Sequence, residues 1–202
     1  MEKQQEHTDL EKELIQRAQK GNTIAAEQLY ARYHNRIFSY LWRMTQNRLL
    51  AEDAAQETFF KGIKGLKNYR EKGTFKSWLF KIAYNEGLRI LKKERKYFWQ
   101  KPVNENDNEN IEVPWQSDGS PMNPTPLSDD VMIEKEQQRA MEAALARLPV
   151  KERQVVVLRI HEGLSFQEIS TIMNCSINTS LGRMHNAVRR MKKMINKGAG
   201  QP

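Results

Sequence analysis

Between Lys101 and Asp130 the chain reads KPVNENDNENIEVPWQSDGSPMNPTPLSDD, a run dense in Asn, Pro, Asp, Glu and Ser with little to bury. Such a run cannot offset the entropy of ordering its backbone, so it separates two modules instead of crossing one core. Residues 98 to 135 hold roughly two basic and eight acidic groups, a tether about six charges negative. The whole chain of 202 residues is nonetheless +8, with a pI near 9.5, which leaves roughly +8 ahead of the tether and +6 beyond it. The predicted division is 8–97, an acidic flexible linker 98–135, and 136–196. Two basic modules favour a polyanionic partner, although the same balance also serves solubility.

Both modules carry the 3.6-residue period of helices, and strand-like alternation is scarce, so an all-α protein of two small helical domains is predicted. Leu10, Leu14 and Ala18 begin an amphipathic segment that Gly21 and Asn22 break. Leu29, Tyr33, Ile37, Tyr40, Leu41 and Met44 continue at helical spacing, and further helices are expected over 50–66 and 74–96.

The second module holds the more specific pattern. Leu148-Pro149 opens a helix whose apolar side is assigned to Val155, Val156, Leu158 and Ile160, with Gly163 placed for a left-handed cap. Ser165 and Glu168 then stand at the spacing of a capping box, Asn174 and Cys175 make a turn, and Ser176 can cap the last helix. There Ile177, Leu181, Met184, Val188, Met191 and Ile195 are expected to form one buried stripe, leaving mostly basic or hydrogen-bonding groups outside. Such a helix-turn-helix presents side chains to base edges and phosphates, and a solvated helical hairpin is the plainer alternative.

In the first module, GTFKSWLFKIAYNEGLRILKKERK (73–96) interleaves aromatic and basic residues. Phe75, Trp78, Leu79 and Ile82 read as core, while Lys81, Asn85, Arg89, Lys92 and Lys96 fall near one helical face suited to a phosphate backbone. Tyr69, Trp78 and Tyr84 are candidate surfaces for unstacked bases, with core packing the rival reading for Trp78. One helix earlier, Asp53, Gln56, Glu57 and Phe60 set a carboxylate, amide and aromatic surface side by side, equally readable as a soluble face or a docking face.

Catalytic signatures are missing from the sequence. Cys175 is the only cysteine, and His7, His34, His161 and His185 never fall at a metal-binding pair spacing. There is no phosphate-binding glycine loop and no nucleophile elbow, so no catalytic residue, metal or cofactor is expected. Neither a signal peptide nor a membrane span is legible, which predicts a cytoplasmic protein without direct membrane insertion.

AEDAAQETF, GTFKSWLFKIAYN and LPVKERQVVVLRIHEGLSFQEIS, in this order around an acidic linker, resemble the bacterial sigma factors of the extracytoplasmic-function group. The first is similar to that family's region 2.2, the second to regions 2.3 and 2.4, and the third to region 4. The resemblance implies a non-enzymatic initiation factor that binds core RNA polymerase, recognises promoter DNA and helps open it. Asp53, Gln56, Glu57 and Phe60 would dock on the clamp of the largest polymerase subunit. Tyr69, Arg70, Lys72, Lys81, Asn85, Arg89 and Lys92 would engage the minus-ten element. Ser176, Asn178, Thr179, Arg183, Asn186 and Arg189 would face the minus-thirty-five element. The linker would run through the polymerase cleft, and an anti-sigma factor would be a further partner. The chain departs from the family at Arg89, where Asp is common, at Asn174, where Gly is frequent, and at Ser180, Leu181 and Gly182, where Val, Lys and Ser are common.

Two rival functions fit parts of the sequence. A stand-alone helix-turn-helix regulator would account for 164–190 but leave the first module and tether without purpose. A nucleic-acid enzyme holding a metal on Asp53 or Glu57 would need converging ligands that one helix does not supply.

Overall fold

The computed structural model describes residues 2–70, 73–98 and 129–198, and every regular element among them is helical. These residues fall into two units, one up to Lys93 and one beyond it. Most of the acidic tether, 99–128, lies outside the described residues.

The first unit contains α1 (Glu2–Gln19), α2 (Thr23–Thr45), α3 (Arg48–Leu66) and α4 (Phe75–Phe98). Its helix starts are set by short polar side chains. Asn22 Oδ1 accepts the Ala25 N–H at 2.9 Å, Asn47 Oδ1 accepts that of Leu50 at 3.1 Å, and Thr74 Oγ1 accepts that of Ser77 at 3.1 Å. Tyr33, Ile37, Tyr40, Leu41 and Met44 of α2 are buried as their spacing predicts, and Tyr40 meets Phe80 of α4 edge-on at 5.4 Å. Glycines let helices approach closely here. A Cβ at Gly62 or Gly65 of α3 would stand 3.2 Å from Leu79 or Trp78 of α4, and one at Gly87 would stand 2.7 Å from the Met44 methyl.

The second unit contains α5 (Asp129–Ala146), α6 (Val150–Val156), α7 (Phe166–Met173) and α8 (Ile177–Gly198), with a π-helical turn Val157–His161 after α6. α8 packs on α5, α6 and α7. Buried Arg153 closes the α5–α6 corner by donating to the Ala146 carbonyl at 2.9 Å, and its burial pushes the guanidinium pKa down to about 10. Ser165 and Glu168 form the expected reciprocal box, Gly163 has φ +65°, and Asn174 ends α7 at φ 49°, which Asn tolerates better than most residues.

Two sequence expectations need correction. The helix opened by Pro149 does not run regularly to Gly163: the π turn, with the Glu162 N–H bonded to the Val157 carbonyl at 3.2 Å, shifts the register. That shift leaves Ile160 63% exposed while Val155, Val157 and Leu158 stay fully buried. On α8 the buried side is Ser180, Ala187 and Met191, and Ile177, Leu181 and Val188 are exposed. The small residues mark where α8 approaches its neighbours, so the stripe of large apolar side chains lies to one side of the contact line.

Candidate nucleic-acid interface

The outward face of α8 follows from its buried line. Rotating away from Ser180, Ala187 and Met191 exposes Asn178, Thr179, Gly182, His185 and Arg189, with Asn186 half-exposed among them. Ser176 fixes the start of this surface, accepting the Thr179 N–H at 3.0 Å and pairing with its hydroxyl at 2.8 Å. The helix carries basic residues along its length and no acidic one. Arg183 differs from the rest: it is half-buried, with its guanidinium 3.5 Å from the Cys175 sulfur, so it borders the face. Arg190 is drawn toward α6 by Glu152, 3.2 Å away. Gly182 and His185 share the exposed face although they stood outside the set assigned to base contact. A helical projection centred on the small residues would have included both.

On α4, Lys81, Asn85 and Lys92 are exposed along one side. Arg89 is exposed at the edge nearer α3, its Nε 2.7 Å from Glu86 Oε2, while Lys61 Nζ of α3 lies 2.5 Å from Glu86 Oε1 and 3.3 Å from Glu57. The Glu86 side chain is 5% exposed. Burial works to raise its carboxyl, but hydrogen bonds from Lys61 and then Arg89 hold it below its ordinary value. Arg89 also lines an open groove with Asp53, Gln56, Glu57 and Phe60 of α3. Arg89 thus borders the α3 surface as well as following Asn85 by one turn on α4. The α3 surface also exposes large apolar side chains: Phe60 is 54% exposed, with Lys64 over its ring at 4.2 Å, and Leu49 and Ile63 are exposed too.

The α3–α4 connection brings Tyr69 and Arg70 to the same unit. Arg70 is exposed, and Tyr69 is half-buried against Trp78 and Phe75, with ring centroids 5.0 and 5.5 Å away. Trp78 is partly buried in this cluster. Tyr84 is buried, so it offers no face to an unstacked base, contrary to expectation. Lys72 lies outside the described residues, as does the Lys96 side chain. Among the described residues no group of His, Cys, Asp and Glu could hold a metal ion, and no helix is long and apolar enough to cross a membrane.

Residues 29–97 match sigma-70 region 2 and residues 138–191 match sigma-70 region 4, together more than half of the chain. Curated relatives include an ECF RNA polymerase sigma-E factor of Haemophilus influenzae, 27% identical and spanning 90% of this chain and 93% of that protein. The ECF RNA polymerase sigma factor SigW of Bacillus subtilis is 28% identical over 91% of this chain and 96% of its own length. Among solved structures, CnrH in complex with the cytosolic domain of CnrY aligns with a TM-score of 0.64 at 18% identity, covering 94% of this chain and 99% of that one. The sigma factor RpoE of Bartonella quintana, in complex with the anti-sigma factor NepR, aligns at 0.61 and 18% identity, covering 84% and 96%. At that identity the two structures speak for the fold.

Proposed function

This chain belongs to the sigma-70 family, in its extracytoplasmic-function group, and from that premise we propose how its surfaces share the work of transcription initiation. It is an RNA polymerase sigma factor: it binds core RNA polymerase and promoter DNA. The observation that carries the reading is the occurrence of both family regions in order, each with a separate exposed face.

In this reading the α3 groove of Asp53, Gln56, Glu57 and Phe60 docks on core polymerase. Exposed apolar side chains ringed by charge suit a lasting protein contact, and Arg89 belongs to this surface. Lys81, Asn85 and Lys92, with Tyr69, Arg70 and Lys72 of the preceding connection, engage the minus-ten element. Separating the strands costs stacking and pairing, which binding the opened strand can offset without hydrolysis: cations hold phosphates, and polar groups and aromatic edges hold unstacked bases. No covalent bond in the DNA is made or broken, so the factor acts without enzymatic chemistry.

Ser176, Asn178, Thr179, Asn186 and Arg189 of the second unit read the minus-thirty-five element in the major groove, with Arg183 at the margin. The protein works in the cytoplasm, and an anti-sigma factor covers its surfaces when transcription is not required.

The test is retention of genomic DNA fragments by the purified protein with and without bacterial core polymerase, followed by transcription from the retained fragments. Specific retention and defined starts only in the presence of core are expected. Selection of duplex DNA by the protein alone, with no contribution from core, would instead identify a stand-alone regulator.

A further inference from the structure

We propose that Gln19, the last residue of α1, is a positioning residue for capture of the opened strand: it latches residues 67–70, where the chain leaves α3, in their working shape. This rests on the reading that the connection, with Tyr69 and Arg70, engages the minus-ten element.

The geometry is specific. The Gln19 side-chain amide donates to the Leu66 carbonyl at 3.1 Å and to the Tyr69 carbonyl at 2.9 Å. Both acceptors belong to the chain leaving α3, where helix geometry leaves carbonyls without intrahelical donors. A single primary amide supplies the two N–H groups that such a pair needs. Leu66 O also accepts the Tyr69 N–H at 3.1 Å, so one turn of backbone is held from within and from outside.

The latch stands on a firm base. Leu14 and Ile15 of α1 are buried, and the Tyr33 hydroxyl of α2 donates to the Glu11 carboxylate one helix away. Just past Gln19 the chain turns sharply, with Gly21 at φ +90° and the Asn22 N–H bonded to the Arg17 carbonyl at 3.1 Å. These contacts fix where the Gln19 side chain begins. From the other side, the Tyr69 ring packs on Phe75 and Trp78, and its hydroxyl donates to the Gly73 carbonyl at 3.4 Å.

Tyr69 is therefore gripped at backbone and ring, and Arg70 is exposed immediately beyond it. The position of Arg70 relative to the α4 face is set by this grip. α1 precedes residue 29, where the match to region 2 begins, so the latch comes from a part of the chain that the match does not span. Strand capture needs its groups held before the strand arrives, since ordering them on binding subtracts from affinity.

The experiment uses full-length protein assembled with core polymerase. The probe is a fork oligonucleotide built from a promoter recovered with that holoenzyme, its non-template minus-ten segment single-stranded. Gln19→Glu replaces both donors with a carboxylate facing two carbonyls, and Gln19→Lys keeps donors. Gln19→Glu is expected to weaken fork binding about tenfold while core affinity stays within about twofold of wild type, and Gln19→Lys is expected to stay within about twofold in both. Faster amide exchange across 67–70 in Gln19→Glu alone should accompany the loss.

Equal fork binding by Gln19→Glu and wild type would overturn the latch. So would equal losses in fork and core binding, which would mark a general structural role. Arg70→Ala, measured in parallel, separates the two levels. If it loses fork affinity while Gln19→Glu does not, the latch alone fails. If Arg70→Ala also binds the fork normally, the assignment of the connection to the minus-ten element fails, and the latch falls with it.

Discussion

The two units hold their functional faces by different means. Local caps start helices in both units, and in the second they frame α8 most directly: the Ser165–Glu168 box, left-handed Asn174, and Ser176 capping through Thr179, with α8 packed on α5, α6 and α7. In the first, the corresponding surfaces depend on contacts between distant residues. Gln19 reaches Leu66 and Tyr69, Lys61 reaches Glu86, and Tyr33 reaches Glu11. Under the proposed function, capped α8 offers one helix in a fixed pose to a regular duplex groove, and long-range contacts of the first unit order the groups proposed to hold an opened strand.

The largest expected effect tests the long-range side of this contrast. Phe80→Ala removes a fully buried ring that packs on Tyr40 and should destabilise the first unit by about 3–5 kcal/mol. Urea unfolding followed with probes in each unit should show that loss in the first, and an equal shift in both would break the comparison.

Next in size is Glu86→Gln. The carboxylate is buried, but Lys61 and Arg89 are about half-exposed, so solvent screens the pairs and the expected loss is about 1–2 kcal/mol. The sign with pH is fixed: the folded-state pKa of Glu86 lies below its ordinary 4.5, so the contribution is present above that value and lost as pH falls through the folded one. Wild type and Glu86→Gln should therefore converge in stability below about pH 4.5. A difference that persists in acid would assign the effect to packing.

Ser165→Ala tests the local side. Loss of the cap at α7 should cost about 1 kcal/mol, confined to the second unit, and circular dichroism melts would measure it. Smallest in stability is Lys81→Ala with Lys92→Ala on the exposed face of α4, expected to leave the fold unchanged. The logarithmic salt dependence of holoenzyme binding to fork DNA should become shallower by about one for each lost phosphate contact. An unchanged slope would remove these lysines from the strand path.

The same contrast explains what could be read without coordinates. The capping box, the left-handed Gly163 and Asn174 and the α2 core stripe are short-range patterns, and each is present as its spacing predicts. The buried side of α8 was misassigned because Ser180 and Ala187 carry little hydrophobic weight, although their small size permits the close approach. The π turn leaves no periodic trace in the Val155–Val157 run, so Ile160 was placed inside. Helical spacing places Arg89 one turn after Asn85 and contains no information about Glu86, which Arg89 shares with Lys61 of another helix. Gln19 was missed for the same reason: nothing local marks a glutamine whose partners stand about fifty residues away.

Transcription from a recovered promoter, and from a copy with its upstream element scrambled, tests whether the two units answer to separate promoter elements. Wild type, Arg189→Ala and the Lys81→Ala, Lys92→Ala pair would each be assayed on both templates as a double-mutant cycle. Scrambling is expected to add little to the defect of Arg189→Ala but to multiply that of the lysine pair. Independent, multiplying effects for Arg189→Ala, or non-additivity for the lysine pair, would contradict that separation.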